Sequence, residues 1–458
     1  MADFLATVVV VNYNGAHLLP ACLDALAAQL SSSPTFHTVV VDNASTDGSL
    51  ELLARDYPWV RVITSRRNLG FAGGNNLALA QVTTPFAVLL NNDAAPEPGW
   101  LANLLSAFGE ASGHDLGIVT GKVLFMPRFV RLHVCSDSFR PAKLDTRDLG
   151  FRIYQVLVDG CDVTGKVIWA DAAYGPEGTG EAMFRWTRPQ GDALVPVPAA
   201  LAENGSLVRP VVVSVRAAGP RERTAVQLST AGVRLDVKVG SDVMDLTLEV
   251  SAGTEAVDVI NNVGGIVLQD GSGADRGFLE VDEGQYEESI EVFTACGNGM
   301  AMRTTVGREA GWFDRGFFMY YEDTDLSWRC RSRGWAIRYV PTAVLRHVHA
   351  ASSTEWSPRW RFHVERNRLL MLTKNATGDL ARTAITSSFR SLGMLTLRSL
   401  KEGIRQRRRP AIRPLVLHSQ ILLSFAARTP AALRDRRAIR RSAVVPRDIL
   451  QEWLVSSR

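Results

Sequence analysis

Apolar runs and helically spaced stretches alternate along the first hundred residues. Residues 7–12 (TVVVVN) are continuously apolar up to Asn12, as expected of a strand buried on both faces. Residues 18–30 carry apolar side chains at helical spacing, and 37–42 (HTVVVD) form a second buried strand. The alternation continues with a short helix at 49–57, a strand at 60–65, a helix at 73–81 and a fourth strand at 86–90. It predicts an α/β unit whose parallel sheet is covered by helices, with ligand groups at the carboxyl ends of its strands. Asn12, Asp42 and Asn91–Asp93 fall at those ends.

After about residue 150 the period changes. Short Val-rich segments at 211–215, 234–239, 245–250 and 257–260 are separated by Gly, Asn, Asp and Pro, the pattern of an antiparallel sandwich or barrel. Helical spacing returns after about Cys296. Residues 322–333 read as a helix closed by Gly334, residues 335–340 as a strand followed by Pro341, and the chain beyond Pro358 as largely helical. The expected organisation is an α/β domain in two parts, 1–150 and 277–357, interrupted by an all-β sandwich-like insert at 151–276 and followed by a helical basic region at 358–458.

Composition narrows the class. At 458 residues the chain holds two or three domains, and 46% hydrophobic against 21% charged residues argues against disorder. Five cysteines without CxxC spacing fit neither a disulfide framework nor a zinc site, and point to a reducing, cytoplasmic setting. The amino terminus reads as a first strand rather than a signal peptide, and no apolar window is long enough to predict a membrane-spanning helix. The net charge of +4 is unevenly spread: residues 398–441 hold 13 basic and 2 acidic residues, whereas 151–276 hold 11 basic and 16 acidic. A basic region around the apolar stretch 415–425 suits an anionic membrane surface, or a solvated helical face packed on its own domain. No nucleic-acid recognition motif accompanies the arginines.

Five groups of residues could carry chemistry. Asp42 can accept hydrogen bonds from a nucleobase or ribose, or it can serve the following helix as a cap, a role open to Ser45, Thr46 and Asp47 as well. The loop at 68–76 (NLGFAGGNN) is rich in glycine and runs into a helix, which admits either a phosphate or a structural turn. Asp93 can hold Mg²⁺ or Mn²⁺, or can lie in a β-turn ahead of Pro96 and Pro98. His347 and His349 are candidate metal ligands or hydrogen-bonded structural residues. Glu322, Asp323 and Asp325 begin a helix, where the macrodipole favours acids. Six of the ten residues just before Glu322 are aromatic, which supplies faces for sugar stacking and desolvates a neighbouring carboxylate.

The order of these motifs resembles the inverting glycosyltransferases of family 2, of GT-A fold (Rossmann-like, nucleotide-diphospho-sugar transferase), in a rhamnosyltransferase-like branch. The matching stretches are 11–15 (VNYNG), 41–49, 68–76, 89–93 (LLNND), 322–329 (EDTDLSWR), His347 and 365–368 (ERNR). The resemblance implies a nucleotide-sugar donor held by Asn12, Asp42, Asn68, Gly70, Gly73, Asn76, Asn91 and Asn92. It implies a divalent cation, Mg or Mn, on Asp93 and His347, although the first position of the metal motif is Asn rather than Asp. Asp323 is the implied general base with Glu322 beside it, and Trp312 and Asp325 are implied acceptor contacts. The expected reaction moves a sugar, with rhamnose favoured, onto a hydroxyl of a cell-envelope or surface glycan, lipid-linked in one reading, at the inner face of the plasma membrane. Two other classes stand beside it. One is a catalytically retired scaffold that binds glycan through its β insert. The other is a nucleotidyltransferase, for which no early Lys/Arg-bearing phosphate loop is present.

Overall fold

The computed structural model describes residues 5–31, 34–110, 115–141, 145–348, 357–406 and 412–456. Two compact units are present, one formed by residues 1–124, 261–278 and 284–458, the other by residues 125–260 and 279–283.

The first unit is built as its sequence period requires. Strands β1 (Ala6–Asn12), β2 (Phe36–Asp42), β3 (Arg61–Thr64) and β4 (Phe86–Asn91) are parallel, in the order β3-β2-β1-β4. Helices α1 (Leu19–Ala27), α2 (Ser49–Asp56) and α3 (Gly70–Leu79) connect them. Val8, Val10, Val40, Val88 and Leu90 are buried in one core, which is why the β-branched runs carry no polar face. The sheet continues antiparallel with the strand Gly299–Arg303 beside β4. It then takes in β6 (Leu116–Phe125), the strand Ala336–His347 and, at the edge, β5 (Ala94–Pro96). The strand expected to end at residue 340 runs on through Pro341 to His347, since the fixed φ of proline is compatible with extended backbone. Helix α4 (Trp100–Glu110) follows β5. This mixed sheet is the α/β half of the predicted architecture.

Helices α5 (Thr304–Ala310), α6 (Glu322–Ser332), α7 (Pro358–Asn375), α8 (Gly378–Gln406), α9 (Arg413–Ser442) and α10 (Arg447–Gln451) complete the unit. Helix α6 is polar on almost every side yet buried, and its anchoring is ionic. Asp325 is fully enclosed; its Oδ2 accepts from Arg329 Nε (2.8 Å) and Lys374 Nζ (3.0 Å), and its Oδ1 from Asn375 Nδ2 (2.8 Å). Burial pushes this carboxyl up, but Lys374 and Arg329 outweigh it and hold the group below its usual range. The apolar stretch 415–425 packs inward: His418, Ile421, Leu422 and Phe425 are buried, the last two in one cluster with Leu369 and Leu370 of α7. Arg436 binds the Thr373 and Ala376 carbonyls (2.9 and 2.8 Å). These residues therefore serve the fold, the alternative open beside a membrane-facing stretch, while Val416 and Leu423 stay 49% and 71% exposed. Arg407–Arg409 and His349 lie outside the described residues.

The second unit is an antiparallel sandwich. A six-stranded sheet includes Arg152–Val158, Val211–Ala218 and Met244–Val250; a four-stranded sheet runs Gln190–Val197, Arg128–Ser136, Thr224–Thr230, Val233–Val239. Both contribute to one core that includes Val134, Val156, Val215 and Leu228. The insert begins earlier than residue 151, because Arg128–Ser136 is a middle strand of the four-stranded sheet. Residues 261–276 belong to the first unit instead. Of the expected strand at 257–260, Val257 and Val259 make isolated bridges, and Ile260 opens the short strand Ile260–Asn262 that pairs with β6.

Replacing Asp325 with Asn should destabilise the first unit by about 3–5 kcal/mol, because Lys374 and Arg329 are left as buried, uncompensated cations. Since the folded-state pKa lies below the unfolded value, the contribution of Asp325 is present above that value and fades as pH falls through the folded pKa. Urea melts of both proteins at neutral and acid pH measure the difference, which should narrow in acid.

Candidate active site

The site is assembled at the carboxyl ends of the parallel strands. Asn12 and Asp42 close the paired strands β1 and β2 side by side. Asn12 is fully buried; its Nδ2 donates to Ser45 Oγ (3.2 Å) and its Oδ1 accepts from Asn92 Nδ2 (2.8 Å). A Cβ on Gly15 would overlap both amides of that last pair, so glycine is required there by close approach. Asn14 Oδ1 accepts from Thr46 N (2.8 Å), and Asp47 Oδ2 from Ala16 N (2.8 Å), locking the loops after β1 and β2 together. Asp47 also accepts from Ser49 N and Oγ at the start of α2, so it serves the helix start left open between it and Asp42. Asp42 keeps one oxygen on Ser45 N (3.1 Å) and leaves Oδ1 buried without a hydrogen bond. Tyr13, 48% exposed between these loops, is an aromatic face to which the sequence reading gave no role.

The glycine-rich loop is a hinge between distant segments. Gly70 has φ of +71°, and a Cβ there would overlap the carbonyl and ring of Phe318. Ala72 N donates to Phe318 O (3.1 Å). Asn68 Oδ1 accepts from Gly70 N and Asn43 Nδ2 (2.8 and 3.0 Å), and a Cβ at Gly73 would meet Leu69. Asn76 uses both ends of its amide on the Phe313 backbone, at 2.7 and 3.1 Å. The amide of Asn76 is thus spent inside the protein, which corrects its assignment as a donor contact, while Asn68 commits its Oδ1 to the loop.

Asp93 and His347 are brought together by the antiparallel pairing of β5 with the end of Ala336–His347, in which His347 lies opposite Ala94. Val348 N donates to Asp93 O (2.9 Å). His347 Nε2 stands 3.1 Å from Asp93 Oδ1 but out of line for a hydrogen bond, so this buried carboxylate oxygen accepts none. Neighbouring ligands of an octahedral cation bound at about 2.1 Å stand about 3 Å apart, so the pair fits a shared divalent cation. No cluster of three or more acidic, His or Cys ligands occurs among the described residues.

Asp323 and Glu322 begin α6, directly after the turn 317–321. Phe318, Tyr320 and Tyr321 in that turn all have φ near +66 to +69°, a left-handed conformation that non-glycine residues seldom hold. Asn367 Nδ2 holds the turn through the carbonyls of Phe317 (3.0 Å), Met319 (2.8 Å) and Tyr320 (2.8 Å), and Arg366 binds Gly316 and Phe317. This clamp is the structural meaning of the ERNR stretch, which the sequence reading quoted without a role. Asp323 Oδ2 accepts from Gly297 N (3.1 Å) and Oδ1 from Thr324 N (2.6 Å). Burial raises its pKa, and those hydrogen bonds moderate the rise. Glu322 is more deeply buried, its Oε2 has no hydrogen bond, and burial followed by the Asp323 charge pushes it well above the carboxylate range. Both carboxyls of the adjacent pair are pushed up by burial, and the Asp323 charge favours the neutral form of Glu322 further.

Two consecutive residues join the halves of the site. Gly297 N binds Asp323, while Asn298 accepts from Asn91 through both its carbonyl (3.0 Å) and Oδ1 (3.1 Å) and brings Nδ2 within 3.4 Å of His347 Nδ1. Consecutive Cα atoms are about 3.8 Å apart, so adjoining residues hold the Asp323 side and the Asp93–His347 side. Asp325 is bound in its ion cluster, which corrects its expected role as an acceptor contact. Trp312 lies against Gly307 of α5, and its carbonyl takes Arg329 (2.7 Å). Among the described residues, the buried carboxylate oxygens that accept no hydrogen bond are Asp42 Oδ1, Asp93 Oδ1, and Glu322 Oε2, all at this site.

Comparison with known proteins matches the same segments. Residues 7–126 fit the family model described as glycosyl transferase family 2, and residues 277–364 that of glycosyltransferase like family 2. A glycosyltransferase, AglE, of Haloferax volcanii is 26% identical over 122 residues, 26% of this chain and 39% of the relative. An N-acetylglucosaminyl-diphospho-decaprenol L-rhamnosyltransferase of Mycobacterium tuberculosis is 40% identical over 62 residues, 14% of this chain and 20% of the relative. The matched stretches thus span well under half the length of these relatives. Among solved structures, GalNAc-T7 with UDP, GalNAc and Mn²⁺ aligns over 81% of this chain and 48% of that one at 10% identity, with a TM-score of 0.43. The Pyrobaculum calidifontis mannosyltransferase PcManGT, in complex with GDP-Man and Mn²⁺, aligns over 98% and 78% at 14% identity, with a TM-score of 0.37.

Gly70→Ala is expected to lower stability by about 1–3 kcal/mol, since the new methyl must displace Phe318 and occupy a left-handed backbone position. Thermal melts compared with Gly48→Ala, where φ is +82° and a Cβ would meet no atom within 4 Å, separate the overlap with Phe318 from the backbone strain.

Proposed function

We propose, for a chain that belongs to the family 2 glycosyltransferases through residues 7–126 and 277–364, that the cleft transfers a sugar from a nucleotide diphosphate to a hydroxyl with inversion. The observation that carries this reading is the bridge Gly297–Asn298, which binds Asp323 at one residue and approaches His347, 3.1 Å from Asp93, at the next. Asp42, with its unpaired Oδ1, would accept a hydrogen bond from the nucleobase or ribose. Asn12 and Asn92 fix the floor beside it, and Asn91 holds Asn298 in place.

Asp93 and His347 would hold a divalent cation, Mg or Mn, which supplies charge stabilisation to the departing diphosphate. Asp323 takes the proton of the acceptor hydroxyl as that oxygen forms its bond to the anomeric carbon. The bond from that carbon to the diphosphate oxygen breaks, and its electron pair leaves with the nucleotide. A single displacement from the opposite face inverts the anomeric centre. Glu322 lies beside the base, where burial and the Asp323 charge favour its neutral form.

The finer parts of the reading are the donor, the acceptor and the place. Rhamnose is the favoured sugar and a lipid-linked cell-envelope glycan the favoured acceptor, supported by the chemistry in the name of the Mycobacterium tuberculosis relative. Action at the inner face of the plasma membrane, by peripheral attachment through the basic C-terminal region, fits the excess of arginine there. Among the described residues, no helix is long and apolar enough to cross a membrane.

Asp323→Asn should reduce transfer by at least about a thousandfold while donor affinity, read by calorimetry, stays within a few-fold of the parent. In the parent, kcat/KM should rise with pH through a pKa above that of an ordinary aspartate, because a base works only when deprotonated. Full transfer by the variant would remove Asp323 from the role. His347→Ala and Asp93→Ala should each weaken Mn²⁺ binding by about tenfold or more in titrations without substrate. Unchanged Mn²⁺ affinity in both would move the cation elsewhere. A retired scaffold would bind glycan and no nucleotide sugar.

A further inference from the structure

We infer that the outer half of the α8–α9 hairpin lies on an anionic lipid surface, and that α8 rather than the 415–425 stretch supplies the apolar contact. The inference deepens the membrane-attachment part of the proposed function. The first turns of α8 are anchored, with Leu380 and Ala384 in the core. Farther along, the helix turns apolar side chains to water: Phe389 is 54% exposed, Met394 63%, Leu397 60%, Leu400 48% and Ile404 80%. At 3.6 residues per turn these five fall within roughly 140° of the helix circumference. Ile412, just before α9, is 62% exposed at the same end of the hairpin. Core packing does not account for a stripe that the fold leaves in solvent.

Charge selects the occupant. Residues 389–416 contain eight basic residues and one acid, Glu402. Arg398, Lys401 and Arg405 fall along one border of the stripe on the helical wheel. Apolar side chains bordered by Arg and Lys match the boundary between acyl chains and anionic headgroups. A two-fold pairing with a second copy would set Arg398, Lys401 and Arg405 against the same residues, which their charges oppose. Because α8 and α9 pack on α7, whose Asn367 holds the turn before Asp323, the attachment and the acceptor side share one packed set of helices.

The test is co-sedimentation of the full chain with vesicles of phosphatidylcholine alone or mixed with phosphatidylglycerol. The protein should sediment with the mixed vesicles, less so as salt is added, and not with phosphatidylcholine alone. The double variant Leu397→Ser/Ile404→Ser replaces side chains already in water, so it should melt as the parent does. It should bind mixed vesicles at least about tenfold more weakly and keep transfer to a soluble acceptor. Vesicle binding equal to the parent's, or a parent indifferent to phosphatidylglycerol, would overturn the inference. So would light scattering that shows a dimer dispersed by the same two substitutions, which would assign the stripe to a second copy. Asp323→Asn should bind vesicles as the parent does, so a failure of the catalytic reading is told apart from a failure here.

Discussion

The hydrogen bonds of Gly297 and Asn298 are the constraint on which the site depends. Asp323 is placed by α6 and the turn before it, whereas Asp93 and His347 are placed by the sheet. Where the strand Gly299–Arg303 enters the sheet, the two are linked through one backbone N–H and one asparagine. Gly297 has little room for a larger residue, since a Cβ would stand 3.2 Å from the Phe71 ring and 3.5 Å from Asp323 Oδ2. The base and the cation pair are thus held by a segment that belongs to neither.

The turn that presents Asp323 is costly by itself. Three non-glycine residues in left-handed conformation cost on the order of 1–3 kcal/mol each. Asn367 offsets this with three hydrogen bonds from a single amide nitrogen, at 2.8–3.0 Å, and Gly70 makes room for the Phe318 carbonyl. His363 stacks on Phe318 with ring centroids 5.3 Å apart, and burial followed by nearby arginines lowers its pKa to about 4, so a neutral ring covers the turn. Strain of this kind persists only where the surroundings over-determine it, as α3 and α7 do here.

Much of this was legible in the sequence, and the remainder has physical reasons. The four parallel strands showed as apolar runs because each is buried on both faces, and Asp42 and Asp93 showed because they end such runs. The insert's first strand, Arg128–Ser136, was missed because it follows β6 with hardly a break. Asn76 and Asp325 were misread as ligand contacts because the identity of a buried polar residue does not tell whether its partner is a substrate, a Phe313 backbone or a Lys374. Gly297 and Asn298 carried one usable signal, a Gly-Asn-Gly turn directly ahead of a buried strand. Asn367 lay in plain view, but its role depends on carbonyls some fifty residues earlier, and no local pattern reports them.

A crystal structure with Mn²⁺ and a non-transferable nucleotide sugar bound tests the central claim most directly. Anomalous density should place the cation between Asp93 Oδ1 and His347 Nε2. The sugar should turn the face of its anomeric carbon opposite the diphosphate toward the Asp323 carboxylate. A cation bound away from that pair, or a sugar whose open face points away from Asp323, would contradict the account.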